Sequence, residues 1–279
     1  MPQGSVASGA PLRRARPSRE ATGSAGNGTL PGRRRVSGYL LVVLLLLAWE
    51  LSARLGIVRS ENWPPVTQAL AVAATSLAGG DLLLALVGTL YRMLAGLVLG
   101  SAIGVLVGLA LASSRWLRLT VEPLVELLRP LPVPALVPPL ILFLGLDDGM
   151  KITVVAMTAF FPVFINTLEG ATSVEPTYRL VARTLGVPPL RRMRAVLLPA
   201  TLPFIFAGIR VAIGLAFIVT VVAEMIAGDA GIGYYLVSMQ YAGRAAEMYA
   251  ALFLLAICGF ALNAGFLRIE QRILHWNRR

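Results

Sequence analysis

Tyr91 to Ala112 reads YRMLAGLVLGSAIGVLVGLALA and carries no charge after Arg92. A run this long and this apolar is a transmembrane helix candidate, because a bilayer's hydrocarbon core takes about 20 apolar residues at a rise of about 1.5 Å each. Upstream, from Leu82, there is no breaker stronger than Gly. A helix from Leu82 to Ala112 would be roughly 46 Å long against an apolar slab of about 30 Å. Part of it must lie along the outer surface, kink or protrude, and Asp81 is placed to cap it.

The rest of the chain repeats this character. Of its 279 residues, 57% are hydrophobic and 14% charged, with mean hydropathy +0.75, whereas soluble domains carry roughly a quarter charged residues. That composition describes a membrane protein and leaves no room for a separate soluble domain of about 100 residues. Further candidate spans are Gly38 to Leu55, Leu131 to Leu146, Ile152 to Leu168, Ala200 to Ala227 and Tyr249 to Leu267. The predicted fold is an all-α membrane protein with six transmembrane helices over residues 36–279. Between Gly38 to Leu55 and Tyr91 to Ala112, Asn62-Trp63-Pro64-Pro65 reads as a turn with an interfacial aromatic, followed by a helix-like stretch, Val66 to Leu77.

The net charge of +11 admits nucleic acid, anionic lipid or a topology signal. With Arg33 to Arg35 cytoplasmic, 18 Arg fall inside against five cationic residues outside, Arg54, Arg59, Arg92, Lys151 and Arg244. This distribution predicts cytoplasmic N- and C-termini and excludes nucleic acid as a partner. Residues 1–35 read as a disordered basic cytoplasmic arm, rich in Gly, Ser, Pro, Ala and Arg, that is able to touch membrane lipid. The arm is too long for a secretory n-region and no A-x-A site follows it, so the first span reads as an uncleaved anchor.

Several constellations carry two readings each. Gly96, Gly100, Gly104 and Gly108 form a small-residue stripe for close helix approach, within one subunit or across a dimer seam. Pro130, Pro132, Pro134, Pro138 and Pro139 disturb the helix at the start of the third span, as the wall of a translocation path or as a plain loop. Glu50 with Arg54 reads as a snorkelling pair at the outer end of the first span. Arg210 and Glu224 flank the middle of the fifth span, where snorkelling outweighs a proton relay, and Glu224 is the better candidate for a gating or substrate role. Catalytic residues are not expected. His275 is the only His, Cys258 the only Cys, and Gly149-Met150-Lys151 is no phosphate-binding loop, so neither a metal centre nor a catalytic triad can be assembled.

Between the fourth and fifth spans, the loop 170–199 contains SVEPTYRLVARTLGVPP from Ser173 to Pro189. Ser173 is a fair N-cap, Glu175 and Pro176 suit a first turn and Gly186 suits a C′ position, which predicts a helix of about ten residues. Tyr178, Val181, Ala182 and Leu185 follow i, i+3, i+4, i+7 and share one apolar face, with Arg179 and Arg183 beside it. A helix this short is marginal alone in water. It must dock, either on its own membrane domain or in a groove of a partner.

The run Ala182-Arg183-Thr184-Leu185-Gly186, followed by Leu197-Leu198-Pro199-Ala200-Thr201-Leu202-Pro203, resembles the EAA loop of ABC importer permeases. Where that pattern has Glu-Ala-Ala, this chain reads Leu180-Val181-Ala182; a Leu can pack in a groove but accepts no hydrogen bond. Trp63-Pro64-Pro65, Leu90 to Gly96, Leu128-Arg129-Pro130-Leu131-Pro132, Phe160-Phe161-Pro162 with Asn166-Thr167, Ala223-Glu224-Met225 and Gly231-Ile232-Gly233-Tyr234 look like the nitrate, sulfonate and taurine branch. That branch also holds permeases for bicarbonate, thiamine precursors and riboflavin.

The resemblance implies a type I ABC importer permease-like fold in a bacterial inner membrane. It implies an ATPase-docking loop of Tyr178, Val181, Ala182, Arg183, Leu185, Gly186, Pro188 and Pro189. A path or gate would involve Pro130, Pro132, Pro134, Pro138, Asn166 and Glu224. The implied partners are two ATPase subunits carrying ATP and Mg, a second permease copy and a periplasmic or lipid-anchored solute-binding protein, which largely sets the solute. No cofactor and no catalytic residue is expected on this chain. The rival reading is an ion-coupled secondary transporter using Glu224.

Overall fold

The computed structural model describes residues 31–58 and 60–277. The arm expected over 1–35 lies outside them as far as residue 30, as do Arg59, Arg278, Arg279 and the side chain of Arg183. All regular structure among the described residues is helical. They form two units, one ending at Leu46 and the other starting at Leu47. The first is the N-terminal part of α1 (Pro31–Arg54), and the second carries the remaining helices.

These are α2 (Val66–Gly79), α3 (Asp81–Ser113), α4 (Arg115–Leu128), α5 (Val137–Leu144), α6 (Asp148–Ser173), α7 (Pro176–Thr184), α8 (Pro189–Arg192), α9 (Leu198–Ala227), α10 (Ile232–Tyr241) and α11 (Ala245–Ile273). Among the described residues, α3, α6, α11 and the continuous stretch Pro189–Ala227 are long and apolar enough to cross a membrane. A fifth span arises when α4 and Val133–Leu144 are taken together, and these two are bent by 85°.

That bend falls at the start of the expected third span, Leu131 to Leu146, of which Val133–Leu144 is helical. Pro130 and Pro132 sit between the two arms, Pro134 opens a short 3₁₀ turn (Val133–Leu136), and Pro138 and Pro139 lie in the first turn of α5. Pro lacks a backbone donor and is tolerated at helix starts but not inside them. The prolines therefore bend the chain at residues 129–132 and leave a helical stretch of twelve residues, Val133–Leu144, after it. The fifth span also begins earlier than Ala200: α8 runs through a π turn, Met193–Leu197, into α9 without a break.

The centre of the second unit is a close layer of α3, α6 and α9, built around Met93 and Leu97, Val155, Ala159 and Val163, and Ala212, Ile213 and Ala216. The glycine stripe faces α6. A Cβ at Gly96 would run into Val155, at Gly100 into the Ala156 carbonyl, at Gly104 into Phe160 and at Gly108 into Thr167. Its role is therefore contact within one subunit. Without side chains in the way the two backbones touch, which gains dispersion contacts where no hydrophobic drive separates protein from lipid. On α9, Gly208 does the same against Pro162 and Asn166 of α6.

The first residues of α3 differ from expectation in one detail. Gly80, at φ +90°, occupies the cap, and Asp81 is the first helical residue with no capping hydrogen bond. Near the same end, Glu50 does more than snorkel. It pairs with Arg54 at 2.6 Å and accepts from Thr67 N at 3.1 Å and Thr67 Oγ1 at 2.8 Å, so one carboxylate satisfies the exposed start of α2. Trp49 packs on Trp63, Tyr249 and Phe253 beside it.

Candidate functional site

Two regions at opposite ends of the second unit concentrate the chemistry. The first is the loop joining α6 to α8. Pro176 opens α7, as a ring with fixed φ and no donor suits a first helical position. Glu175 precedes it, and its carbonyl accepts from Tyr178 N at 3.2 Å. Ser173, expected as the N-cap, is instead the last residue of α6, where its hydroxyl donates to the Gly170 carbonyl. At the other end Gly186 has φ +68°, a left-handed conformation that is free of strain only for Gly. Val187 N donates to Ala182 O at 3.0 Å across it, the six-to-one bond of a Schellman stop. Pro188 and Pro189 then start α8.

The predicted apolar face of α7 is present but largely uncovered. Tyr178 is 61% exposed, Val181 51% and Leu185 73%, and only Ala182 is buried. Leu180, at the position of the family's Glu, is exposed as well. Behind α7, Ala182 borders a cavity of about 500 Å³ shared with Ser113, Leu190, Met193 and Leu197. Three large apolar side chains on one short helix, turned away from their own chain, form a contact surface in need of a partner.

The second region lies where α10 begins. Glu224 is completely buried near the end of α9. Its carboxylate accepts from Arg92 Nη1 at 2.9 Å, Thr89 Oγ1 at 2.9 Å and Gly233 N at 3.0 Å. Thr89 Oγ1 in turn accepts from Ile232 N at 2.9 Å, so both leading amides of α10 are satisfied through one buried acid. Arg92 also donates to Asp148 at 2.6 Å and to the Ala230 carbonyl at 3.3 Å. Lys151, likewise completely buried, donates to Asp229 at 2.7 Å.

This network corrects the snorkelling reading of Glu224, whose charge is compensated inside the protein. Arg210 pairs with Glu270 of α11. Arg92 and Lys151, counted from sequence as outer charges, are themselves buried and ion-paired. Sequence reasoning missed them as site residues. The available signal was depth: Arg92 near the start of α3, Lys151 near the start of α6 and Glu224 near the end of α9 reach a common level, and charges inside a span pair with one another.

The Lys151 ammonium donating to Asp229 holds that carboxyl below the usual carboxylate range. A depressed folded value means that the pair's stabilisation is complete above about pH 4 and is lost as pH falls through the lowered folded value. Thermal unfolding followed from neutral to acid pH is expected to lose this contribution only on the acid limb, and Asp229→Asn to flatten that limb. Because Asp229 is 76% exposed, the effect is small.

The remaining predicted path residues are spread over the bend and α6. Pro130, Pro132 and Pro138 are exposed and Pro134 is half-buried, while Asn166 is half-buried and donates to the Pro162 carbonyl at 2.8 Å. The structure does not bring them together with Glu224 in one cluster. Among the described residues, no three His, Cys, Asp or Glu side chains are grouped to hold a metal ion.

Residues 100–275 match the family described as binding-protein-dependent transport system inner membrane component. A Bacillus subtilis protein named as an aliphatic sulfonates transport permease, SsuC, is 34% identical over 251 residues, covering 88% of this chain and 90% of its own length. Its Escherichia coli counterpart is 30% identical, covering 87% of this chain and 92% of its own length. The nitrate import permease protein NrtB of Synechococcus elongatus is 33% identical over 63% of this chain and 64% of its own. Among solved structures, the inward-facing MetNI methionine ABC transporter has a chain that superposes with a TM-score of 0.62 at 21% identity. That match covers 72% of this chain and 98% of the other, a likeness of fold.

Proposed function

The chain belongs to the family of inner membrane components of binding-protein-dependent transport systems, and from that premise we propose that it is the permease subunit of an ATP-driven importer of small anions such as aliphatic sulfonates or nitrate. It is a multi-pass membrane protein, and its relatives are transport permeases rather than enzymes. In the proposed assembly a pair of these chains works with two separate ATPase subunits, which bind ATP and Mg, and with an extracytoplasmic solute-binding protein.

The observation that carries the reading is the capped helix α7 with its uncovered apolar face of Tyr178, Val181 and Leu185. A helix this short keeps its shape by docking, and an apolar helix face set into a partner's groove is a recurrent mode of recognition. We place the α7 end of the molecule in the cytoplasm, with six spans and both termini inside. Arg115, Arg118, Arg191, Arg192 and Arg194 lie at that end, as the positive-inside bias requires. Arg183, Gly186, Pro188 and Pro189 complete the docking loop. The bend carrying Pro130, Pro132, Pro134 and Pro138, with Asn166 on α6, lines the path, since irregular backbone at membrane depth is tolerated beside a water-filled cavity.

An ion-coupled carrier built on Glu224 would need that carboxylate free for a proton or sodium ion, and three donors occupy it. The test is uptake into proteoliposomes holding the chain and its ATPase, with the binding protein added outside, for an aliphatic sulfonate, nitrate and taurine. Uptake of at least one of them is expected only with ATP and the binding protein. Uptake driven by an ion gradient without the ATPase would overturn the reading.

A further inference from the structure

Gly228, Gly231 and Gly233 lie within six residues at the junction of α9 and α10. Glycines at such a junction usually suggest a hinge. The packing here says otherwise. A Cβ at Gly231 would overlap the Glu224 carboxyl group, one at Gly228 would overlap the Glu224 carbonyl, and one at Gly233 would overlap the Val221 carbonyl. Gly231 and Gly233 lie against the Glu224 side chain and Gly228 against its backbone carbonyl, so the segment turns tightly around that residue. Only Gly231 has positive φ, at +105°.

Cations from two other helices hold the same segment. Arg92 of α3 reaches the Ala230 carbonyl and Glu224, and Lys151 of α6 reaches Asp229. Thr89 of α3 takes the Ile232 amide, and Glu224 of α9 takes the Gly233 amide. Downstream, Ile232 and Leu236 are buried against Leu82 of α3 and against Ala251 and Leu255 of α11. The Asp229 carboxylate, the Ala230 carbonyl and the Ile232 and Gly233 amides are thus each tied to a span. Separating α10 from these spans would leave the Ile232 and Gly233 amides and the buried Lys151 ammonium without partners, which is strongly disfavoured.

We propose that Glu224, Arg92, Thr89 and Lys151 weld the start of α10 to α3, α6 and α9, so that α10 moves with those spans as one body through the transport cycle instead of swinging on its glycines. The four are positioning residues. A solute-binding protein pressing on the outer end of this unit would then act directly on α3, α6 and α9. This consequence rests on the permease reading; the weld itself rests on the geometry alone.

The test is amide hydrogen exchange, read by mass spectrometry on peptides covering residues 228–236, in the assembled transporter with its ATPase, nucleotide-free and ATP-trapped. The weld predicts that the Ile232 and Gly233 amides are protected to the same degree in both states. Glu224→Leu removes the acceptor of the Gly233 amide, and exchange at Gly233 is expected to rise at least tenfold. Should that variant fold poorly, Thr89→Val removes the acceptor of the Ile232 amide, together with one donor to Glu224, and is expected to raise exchange at Ile232. Protection that disappears in the ATP-trapped wild type would overturn the weld, as would unchanged exchange in both variants. If no complex with the ATPase forms, the permease reading falls, while exchange in the chain alone still reads the weld.

Discussion

Replacing Arg92 with Met is expected to destabilise the chain by about 3–5 kcal/mol, the usual cost of removing one partner from a buried ion pair. Arg92 is 8% exposed at its side chain and Glu224 is completely buried, so water cannot take over the lost contact. The loss is a large fraction of the roughly 5–15 kcal/mol that holds a typical domain together. It will show as a lowered unfolding temperature in detergent and a reduced monodisperse fraction on gel filtration. Combining Arg92→Met with Glu224→Gln should recover more than half of it. The amide oxygen still accepts from Thr89 and Gly233, and no unpaired charge remains inside. Equal losses in the single and double variants would mean that the packing of the Arg92 stem, and not its charge, is what matters.

Leu185→Arg is expected to weaken association with the ATPase by at least a hundredfold and to abolish uptake. Leu185 is 73% exposed and directly follows the last residue of α7. Burying a Leu side chain contributes about 1.5–3 kcal/mol, and an Arg forced into the same groove brings a charge that must lose its hydration. Together these exceed the roughly 2.8 kcal/mol that corresponds to a hundredfold change. Because the side chain touches little of its own chain, the unfolding temperature should stay within about 1 °C of the parent. Binding of the purified ATPase to the permease in nanodiscs measures the first effect, and proteoliposome uptake the second. Retention of both association and uptake would end the docking assignment of α7.

What was legible in the sequence and what was not divides along the range of the interaction. The apolar run from Tyr91, the glycine stripe and the short helix α7 with its Gly186 stop are local patterns, and each appears where the residues placed it. The third span came out shorter than expected because an apolar count ignores what prolines do to the backbone: of Leu131 to Leu146 only Val133–Leu144 is helical, and it meets α4 at 85° across Pro130 and Pro132. Ser173 failed as a cap because α6 continued over it, and a good capping residue does not oblige a preceding helix to stop. The buried network was hidden for a different reason. Arg92, Lys151 and Glu224 belong to three spans far apart in the chain, and nothing in the periodicity of one helix says which charge of another will meet it.

The π turn at Met193–Leu197 has a consequence for sequence length. An α-helix advances about 100° per residue, and a π turn accommodates one extra residue in a helix that otherwise continues. Removing a single residue there would restore a plain α-helix and turn α8 by about 100° around the axis of α9, while α3 and α6 stay packed on α9. The bearing of α8, and of the loop that ties α7 to it, is thus set by one residue's worth of chain length.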